Sequence, residues 1–393
     1  MKSGVALLFA AVGGLSFFLP APAAATAGSL PAASKGDVSM EQKTVLELPH
    51  QAGNPRNSEG AFITLKDGRI MFIYTKFYGD SWSDHAAACL AARYSDDNGD
   101  SWTAEDEIVV PNEGQNVMSV SLLRLADGRL AMVYLRKALT ADGYLDCRPQ
   151  LRHSADEGKT WSEPVSIIPT PGYYVGNNDR LVQLKNGRLL YPVALHRAHT
   201  DDDGRKGVDI RGIGLVYYSD DNGDSWREAP QWLLPPSRLG SGFQEPGVVE
   251  LSGGRLMIWF RTNDGAQYTA CSGDQGLTWE TAVKNNRFRS SESPMSIKRD
   301  PEHGDLIAVW NDHSPRWAIE RRDASWGRTP LVLARSADEG ETWHDHQLLE
   351  SEPDHGYCYI AIEFVPDGLL LAYCCGGGRD AVLQDLRIKK IYR

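Results

Sequence analysis

Residues Tyr94–Trp102 read YSDDNGDSW, and Tyr218–Trp226 repeat the same nine letters 124 positions later. Three looser copies follow the same pattern: SADEGKTW at Ser154–Trp161, SGDQGLTW at Ser272–Trp279 and SADEGETW at Ser336–Trp343. Together they define S-x-D-x-G-x-[ST]-W, with copies starting at 95, 154, 219, 272 and 336. That spacing suits one small β-sheet per copy. The acidic letters invite a calcium reading, because Asp and Asn supply hard oxygen ligands. The loop lacks the twelve-residue spacing and terminal Glu of an EF-hand, and its recurrence along the chain argues for scaffold. Asp can bond to turn amides, Gly accepts positive φ, and Trp packs between sheets. The repeat is expected to close hairpins, not to carry chemistry.

Six further segments stack on a second turn glycine. They are EGAFITLKDG (59–68), SVSLLRLADG (119–128), NDRLVQLKNG (178–187), EPGVVELSGG (245–254), MSIKRDPEHG (295–304) and YIAIEFVPDG (359–368). Their apolar centres suit strands, and Asp-Gly, Asn-Gly or Gly-Gly endings suit tight hairpins. Second strands such as RIMFIYT, RLAMVYL, RLLYPVA and RLMIWFR follow, and a third strand runs into the repeated turn. Each unit thus reads strand, turn, strand, loop, strand, turn, strand. Six units predict an all-β, six-bladed β-propeller, in which radial repetition covers most sheet edges. A β-solenoid would need a shorter period.

Composition agrees with a large globular core. The chain has 393 residues, 41% hydrophobic and 24% charged, with 11 Trp and 38 Gly. Lys2, the apolar run VALLFAAVGGLSFFL and Ala25-Thr26-Ala27 read as a signal peptide over 1–27, followed by a linker over 28–44. The apolar run is short and broken by Gly13-Gly14, unlike a membrane span. The expectation is a soluble monomer, secreted or periplasmic, with no membrane insertion. A net charge of −11 argues against nucleic acid and anionic membranes as partners. It leaves room for a local arginine pocket. The six cysteines match no zinc or redox spacing, so mostly buried thiols are expected, with one or two disulfides open to an exported chain. Vicinal Cys374 and Cys375 are poorly placed to bridge each other. Neither a metal nor a cofactor is implied.

The S-x-D-x-G-x-[ST]-W pattern resembles the Asp-box, or bacterial neuraminidase repeat, and over about residues 45–393 the chain resembles the sialidase superfamily. The box implies the fold more than activity, since non-catalytic propellers also carry it. Sites are therefore sought among residues that do not recur. Arg69, Arg129, Arg188 and Arg255 all follow the turn glycine, and Arg93, Arg152 and Arg335 precede the box, so these are scaffold. The first positions of the stacked segments read Glu59, Ser119, Asn178, Glu245, Met295 and Tyr359, expected near a common axis. Two positions on, Arg180 stands out among mostly small residues, and seven after the turn glycine Arg261 is the only charge.

The segment EPGVVELSGGRLMIWFR resembles the one in which sialidases carry a glutamate and the second of three substrate-binding arginines, which implies those roles for Glu245 and Arg261. GYCYIAI resembles the segment of the catalytic tyrosine, matching Tyr359, with Tyr357 as competitor. GRTPL offers Arg328 as the third arginine, with Arg316, Arg321 and Arg322 nearby. NPRNSEGAFI places Arg56 as the first arginine, departing from the usual Arg-Ile-Pro. GDSWSDHAAA offers Asp84 as the proton donor, with Asp80 as the alternative. Glu59 and Arg180 join the expected substrate-binding set without a family counterpart.

Three arginines suit a carboxylate, since guanidinium presents paired donors and does not titrate. A 2-keto acid sugar carries that carboxylate at its anomeric carbon. A neutral tyrosine nucleophile approaches such a centre without charge repulsion, the exception known for sialidases. The resemblance implies an exported, exo-acting glycoside hydrolase that releases a terminal sialic acid or related acidic sugar from a glycan. Glu245 would take the proton of Tyr359, and Asp84 would serve as acid and then base. Two rivals stand beside it. One is a polysaccharide lyase acting on uronate glycans, with His85, His196 or His199 available as base. The other is a glycan-binding propeller without turnover.

Overall fold

The computed structural model describes residues 40–393. The expected signal peptide over 1–27 lies outside the described residues, as does most of the linker. The described chain is built of β-strands, with two single-turn 3₁₀ segments at Ser252–Gly254 and Asp323–Ser325. No helix among the described residues is long and apolar enough to cross a membrane.

The apolar runs singled out in the sequence form antiparallel meanders. The first sheet runs Asn57–Thr64, Ile70–Phe77, Ala88–Ser95 and Glu107–Val110. The fourth runs Gln244–Glu250, Leu256–Arg261, Ala266–Ser272 and Val283–Arg289. The fifth runs Ser296–Arg299, Leu306–Trp310, Leu331–Ser336 and His344–Glu350. The second and third units share one nine-stranded sheet. Tyr173–Val175 joins them, pairing parallel with Leu145–Ser154 and antiparallel with Leu189–His196.

The sixth sheet orders Cys358–Val365, Gly368–Cys374 and Leu386–Tyr392, and its outer strand is Gln42–Leu48 from the opposite end of the chain. This corrects the expected linker boundary at 44. The physical reason is edge protection: without that strand, Leu386–Tyr392 would present an unpaired row of amides.

Six apolar clusters stitch the units in order. Ile73 and Leu90 meet Met132 and Tyr134 between the first and second units. The remaining clusters bridge second to third, third to fourth, fourth to fifth and fifth to sixth. The last returns from Leu370 and Ile388 to Phe72 and Ala91 of the first sheet.

The five repeated turns are superimposable in their bonding. In the first, Asp97 Oδ1 accepts from the Ser101 amide at 2.9 Å and from Ser95 Oγ at 2.8 Å, while Asp97 Oδ2 accepts from Ser101 Oγ at 2.6 Å. Asp156, Asp221, Asp274 and Asp338 repeat this set. Both carboxylate oxygens thus serve the turn itself. Gly99 takes φ +88°, and a Cβ there would stand 2.6 Å from Leu370 Cδ1 of the sixth sheet. The box therefore also sets how closely neighbouring sheets approach.

The stacked register needs one correction. The third unit's equivalent of Glu59 is Asp179, not Asn178, because Asp179 shares its left-handed φ; Arg180 then aligns with Gly60 and Ile360.

Candidate active site

Four innermost strands carry the same irregularity. The pairing skips between Ser58 and Ala61, Met118 and Ser121, Gln244 and Gly247, and Cys358 and Ala361. At each skip one residue sits at left-handed φ: Glu59 (45°), Ser119 (59°), Glu245 (43°) and Tyr359 (61°). Asp179 (58°) is their counterpart in the third unit. A bulge re-aims its side chain, and a non-glycine residue held there costs on the order of 1–3 kcal/mol. Hydrogen bonds show that these strands adjoin one another. Asn178 Nδ2 donates to Gly60 O at 2.7 Å and Tyr359 O at 3.1 Å, and Ser296 Oγ donates to Ile360 O at 2.6 Å.

Two bonded groups result. In one, the Tyr359 hydroxyl donates to Glu245 Oε1 at 3.3 Å, and Arg261 Nη1 donates to the same oxygen at 2.8 Å. The Arg328 guanidinium lies 5.5 Å from the Tyr359 ring centre and donates to Cys358 Sγ at 3.0 Å. Burial, then the Glu245 charge, push the Tyr359 phenol well above its ordinary pKa, while Arg328 and Arg261 oppose them. The phenol is therefore neutral at pH 7, with a carboxylate positioned to receive its proton. Tyr357 instead packs edge-on against Tyr373 in the cluster between the fifth and sixth units.

In the second group, Arg56 is fully buried and bonds to two carboxyls. Its Nη1 donates to Asp84 Oδ1 at 2.5 Å, and its Nη2 donates to Glu59 Oε1 at 3.2 Å. Glu59 Oε2 also accepts from Ser119 Oγ. The environments push the two carboxyls apart. Burial raises Glu59 to about 7, against the pull of Arg56. For Asp84, burial works the other way, but Arg56 and Lys137 hold it well below the usual carboxylate range. The Asp84 side chain is 52% exposed, whereas Glu59 is 4% exposed. Ser58 Oγ and Cys374 Sγ, 3.2 Å apart, link this group to the sixth sheet, and Glu59 senses the charge of Glu245.

Most expected site residues thus come together: Tyr359, Glu245, Arg261 and Arg328 on one side, Arg56, Glu59 and Asp84 on the other. Asp80 and Asp84 are both exposed, and Asp84 is the one that bonds to Arg56. Arg316, Arg321 and Arg322 are exposed, leaving Arg328 as the buried arginine of its segment.

Arg180 is a correction. Its Nη2 donates to Met295 O at 2.7 Å and its Nη1 to Ser296 Oγ at 3.1 Å. Its guanidinium also stacks 5.6 Å from the Trp259 ring. These contacts tie inner strands to each other, so Arg180 positions the scaffold beneath the site. The one-residue slip in the stacked register is what had brought it forward.

Several neighbours were missed. Trp82 and Trp326 are exposed, with ring centres 6.4 Å apart; Trp82 O accepts from Arg56, and the Trp326 ring lies 5.6 Å from the Arg328 guanidinium. Neither sits in a repeated position, so stacking could not expose them. All six cysteines are free, and Cys358 and Cys374 lie opposite each other beneath the arginines. Among the described residues, Glu352, Asp354 and His355 could bring ligand atoms within 4.8 Å of one another. There His355 Nδ1 is engaged with those same carboxylates.

A family model described as a BNR repeat-like domain matches residues 94–371. A sialidase of Bacteroides fragilis is 29% identical over 236 residues, which are 56% of this chain and 38% of that one. A solved protein of unknown function from Dyadobacter fermentans aligns with a TM-score of 0.66 at 18% identity, over 89% of this chain and 99% of that one. A Trypanosoma rangeli sialidase, solved with 2,3-difluorosialic acid as a covalent intermediate, aligns with a TM-score of 0.63 at 19% identity, over 85% and 54%. The structural likenesses speak for the fold, and the chain spans little more than a third of the Bacteroides sialidase.

Proposed function

This chain belongs to the sialidase superfamily of BNR-repeat proteins, and we propose from that premise that it is an exo-acting glycoside hydrolase releasing a terminal sialic acid or related 2-keto acid sugar. Its six units are the blades of a six-bladed propeller, a reading supported by the apolar cluster that returns from the sixth sheet to the first. The protein acts after export, as its N-terminal sequence suggests.

The observation that carries the activity is the chain Tyr359–Glu245–Arg261, with Arg328 beside the ring. Arg56, Arg261 and Arg328 hold the substrate carboxylate, and their fixed charges are worth more in a site shielded from water. The Tyr359 oxygen attacks the anomeric carbon as its proton passes to Glu245, and the bond to the leaving oxygen breaks. Asp84 protonates that oxygen. Water then attacks the anomeric carbon, giving its proton to Asp84, and the bond to Tyr359 breaks as the phenol regains its proton from Glu245. The product retains configuration.

Arg56 holds Asp84 ionised in the free protein, which is the wrong state for an acid. A substrate carboxylate arriving at Arg56 competes for that guanidinium and adds a like charge, and both effects raise the Asp84 pKa. Substrate binding thereby prepares its own proton donor. Asp84→Asn is expected to slow cleavage of natural glycans roughly 10²–10⁴-fold. It should spare aryl glycosides, whose leaving groups need no proton, and a steady-state comparison of the two substrates checks this.

One observation favours a lyase as second reading. The His85 and Tyr173 rings meet edge-on at 6.3 Å, and burial and Lys137 depress His85 to about 4, leaving it neutral and able to accept a proton. His199, by contrast, sits on an exposed hairpin beside Asp209. Incubation with sialyl-lactose and with uronate glycans separates the readings. Released acid sugar with no ultraviolet rise is expected; an unsaturated, absorbing product without sialic acid release would overturn the hydrolase. Binding without turnover, unchanged in Tyr359→Phe, would leave a glycan-binding propeller.

A further inference from the structure

The arginines and the tyrosine come from the first, fourth, fifth and sixth units. The second and third units fill the remaining arc with a different set of groups. Strand pairing places Asn116 opposite Lys137, Lys137 opposite Cys147, Cys147 beside Tyr173, and Tyr173 opposite His196. One row of side chains therefore crosses five strands, and the short strand Tyr173–Val175 is what makes it continuous. Tyr173 sits between the rings of His85 and His196, with centres 6.3 and 6.1 Å away.

Lys137 is the unusual member. It is 3% exposed, yet no carboxylate lies within 4.0 Å of its ammonium among the described residues. It donates to the Asp84 carbonyl oxygen at 2.8 Å and bonds to the Tyr173 side chain, whose ring centre lies 5.8 Å from its Nζ. The Asp84 carboxylate bonds to Arg56 and acts on Lys137 without touching it. Burial opposes the charge, but Tyr173 and Asp84 raise the Lys137 pKa, so it stays a cation. His85 and His196 are both depressed by burial and add no charge near neutral pH. Asn116 Oδ1 and His85 Nδ1 are buried without a partner. A buried ammonium with no carboxylate in contact is costly in an empty protein and favourable once an anion arrives.

We propose that Lys137, walled by Tyr173, His85 and His196, is a second anion subsite, so that the substrate carries another acidic group, a sulfate ester or a carboxylate, besides the one held by the arginines. This rests on reading the arginine cluster as a carboxylate site. The wall lies beyond Asp84 from Arg56, so the extra group belongs to a ring substituent or to the adjoining sugar. Substrates with a single negative charge leave Lys137 unpaired and bind less well.

Sodium selenate is the probe, a tetrahedral dianion that selenium scattering locates in crystals of the full chain. Two sites are expected in the wild type, one at the arginines and one within hydrogen-bond reach of Lys137 Nζ. Lys137→Met should lose the second alone, and Lys137→Arg should keep both. Selenate at the arginines with none at Lys137 overturns this proposal and leaves the hydrolase reading intact. Selenate at Lys137 alone supports it while removing the carboxylate site. A peak that persists in Lys137→Met marks an adventitious ion only and overturns it. In solution, calorimetry with N-acetylneuraminic acid and its sulfate esters should show about ten-fold tighter binding of at least one ester. That advantage should vanish in Lys137→Met. If the same advantage arises only with a disaccharide bearing a neighbouring uronate, the anion belongs to the adjoining sugar. Equal affinities throughout would contradict the subsite.

Discussion

Tyr359 and Glu59 stand at the same place on different sheets, and their surroundings set different tasks. Tyr359→Phe removes one oxygen from a site whose arginines remain. Turnover should fall about 10³-fold or more while acid-sugar affinity changes little, checked by kinetics beside calorimetry. Glu59 supplies a pH signature. Its folded pKa of about 7 lies above the ordinary 4.5, so the folded state binds more protons than the unfolded one between those values. Stability from this group is present below about pH 4.5 and is lost as pH rises to about 7, on the order of 3 kcal/mol at most. Melting curves should show the wild-type midpoint falling across that window, and Glu59→Gln should lack that part of the slope. At this scale the sequence was informative where a position departed from its repeats, as with Arg261. It was uninformative about Lys137, which carries meaning only through Tyr173 and Asp84, distant in sequence.

The repeated turn and the bulged inner strand are the two elements that organise the molecule. The turn was legible from letters alone, because Ser, Asp, Gly and Thr or Ser each satisfy a defined local bond. The bulge was half legible: the stacking found Glu59, Ser119, Glu245 and Tyr359, yet slipped by one at Asp179, since left-handed φ on non-glycine residues has no letter of its own. Gly99 and Gly68 give a paired test. Both have φ of +88°, but a Cβ on Gly68 meets nothing within 4 Å, whereas on Gly99 it collides with Leu370. Gly99→Ala should cost more than Gly68→Ala by about 1–3 kcal/mol, read by chemical denaturation. Equal costs would mean that the box does not set sheet spacing.

Across the whole molecule, the strand Gln42–Leu48 completes the last sheet and ties the two ends of the described chain together. Deleting residues 40–48 should lower the thermal midpoint and bring concentration-dependent aggregation through the bared edge, measured by calorimetry and light scattering. The sequence ended the linker at 44, three residues into this strand, because its partner, Leu386–Tyr392, lies at the far end. The class and the repeating unit were local properties and could be read; the packing of the sixth sheet on the first, the bridge between the second and third units, and the Lys137 row depend on contacts over long separations. The central claim is that the inner strands of separate units aim Tyr359 at an anomeric carbon held by three arginines. Intact-mass spectrometry after incubation with 2,3-difluorosialic acid tests it most directly. A single covalent adduct that maps to Tyr359 and is absent in Tyr359→Phe is expected. An adduct on another residue, or no adduct while sialyl-lactose is being cleaved, would contradict it.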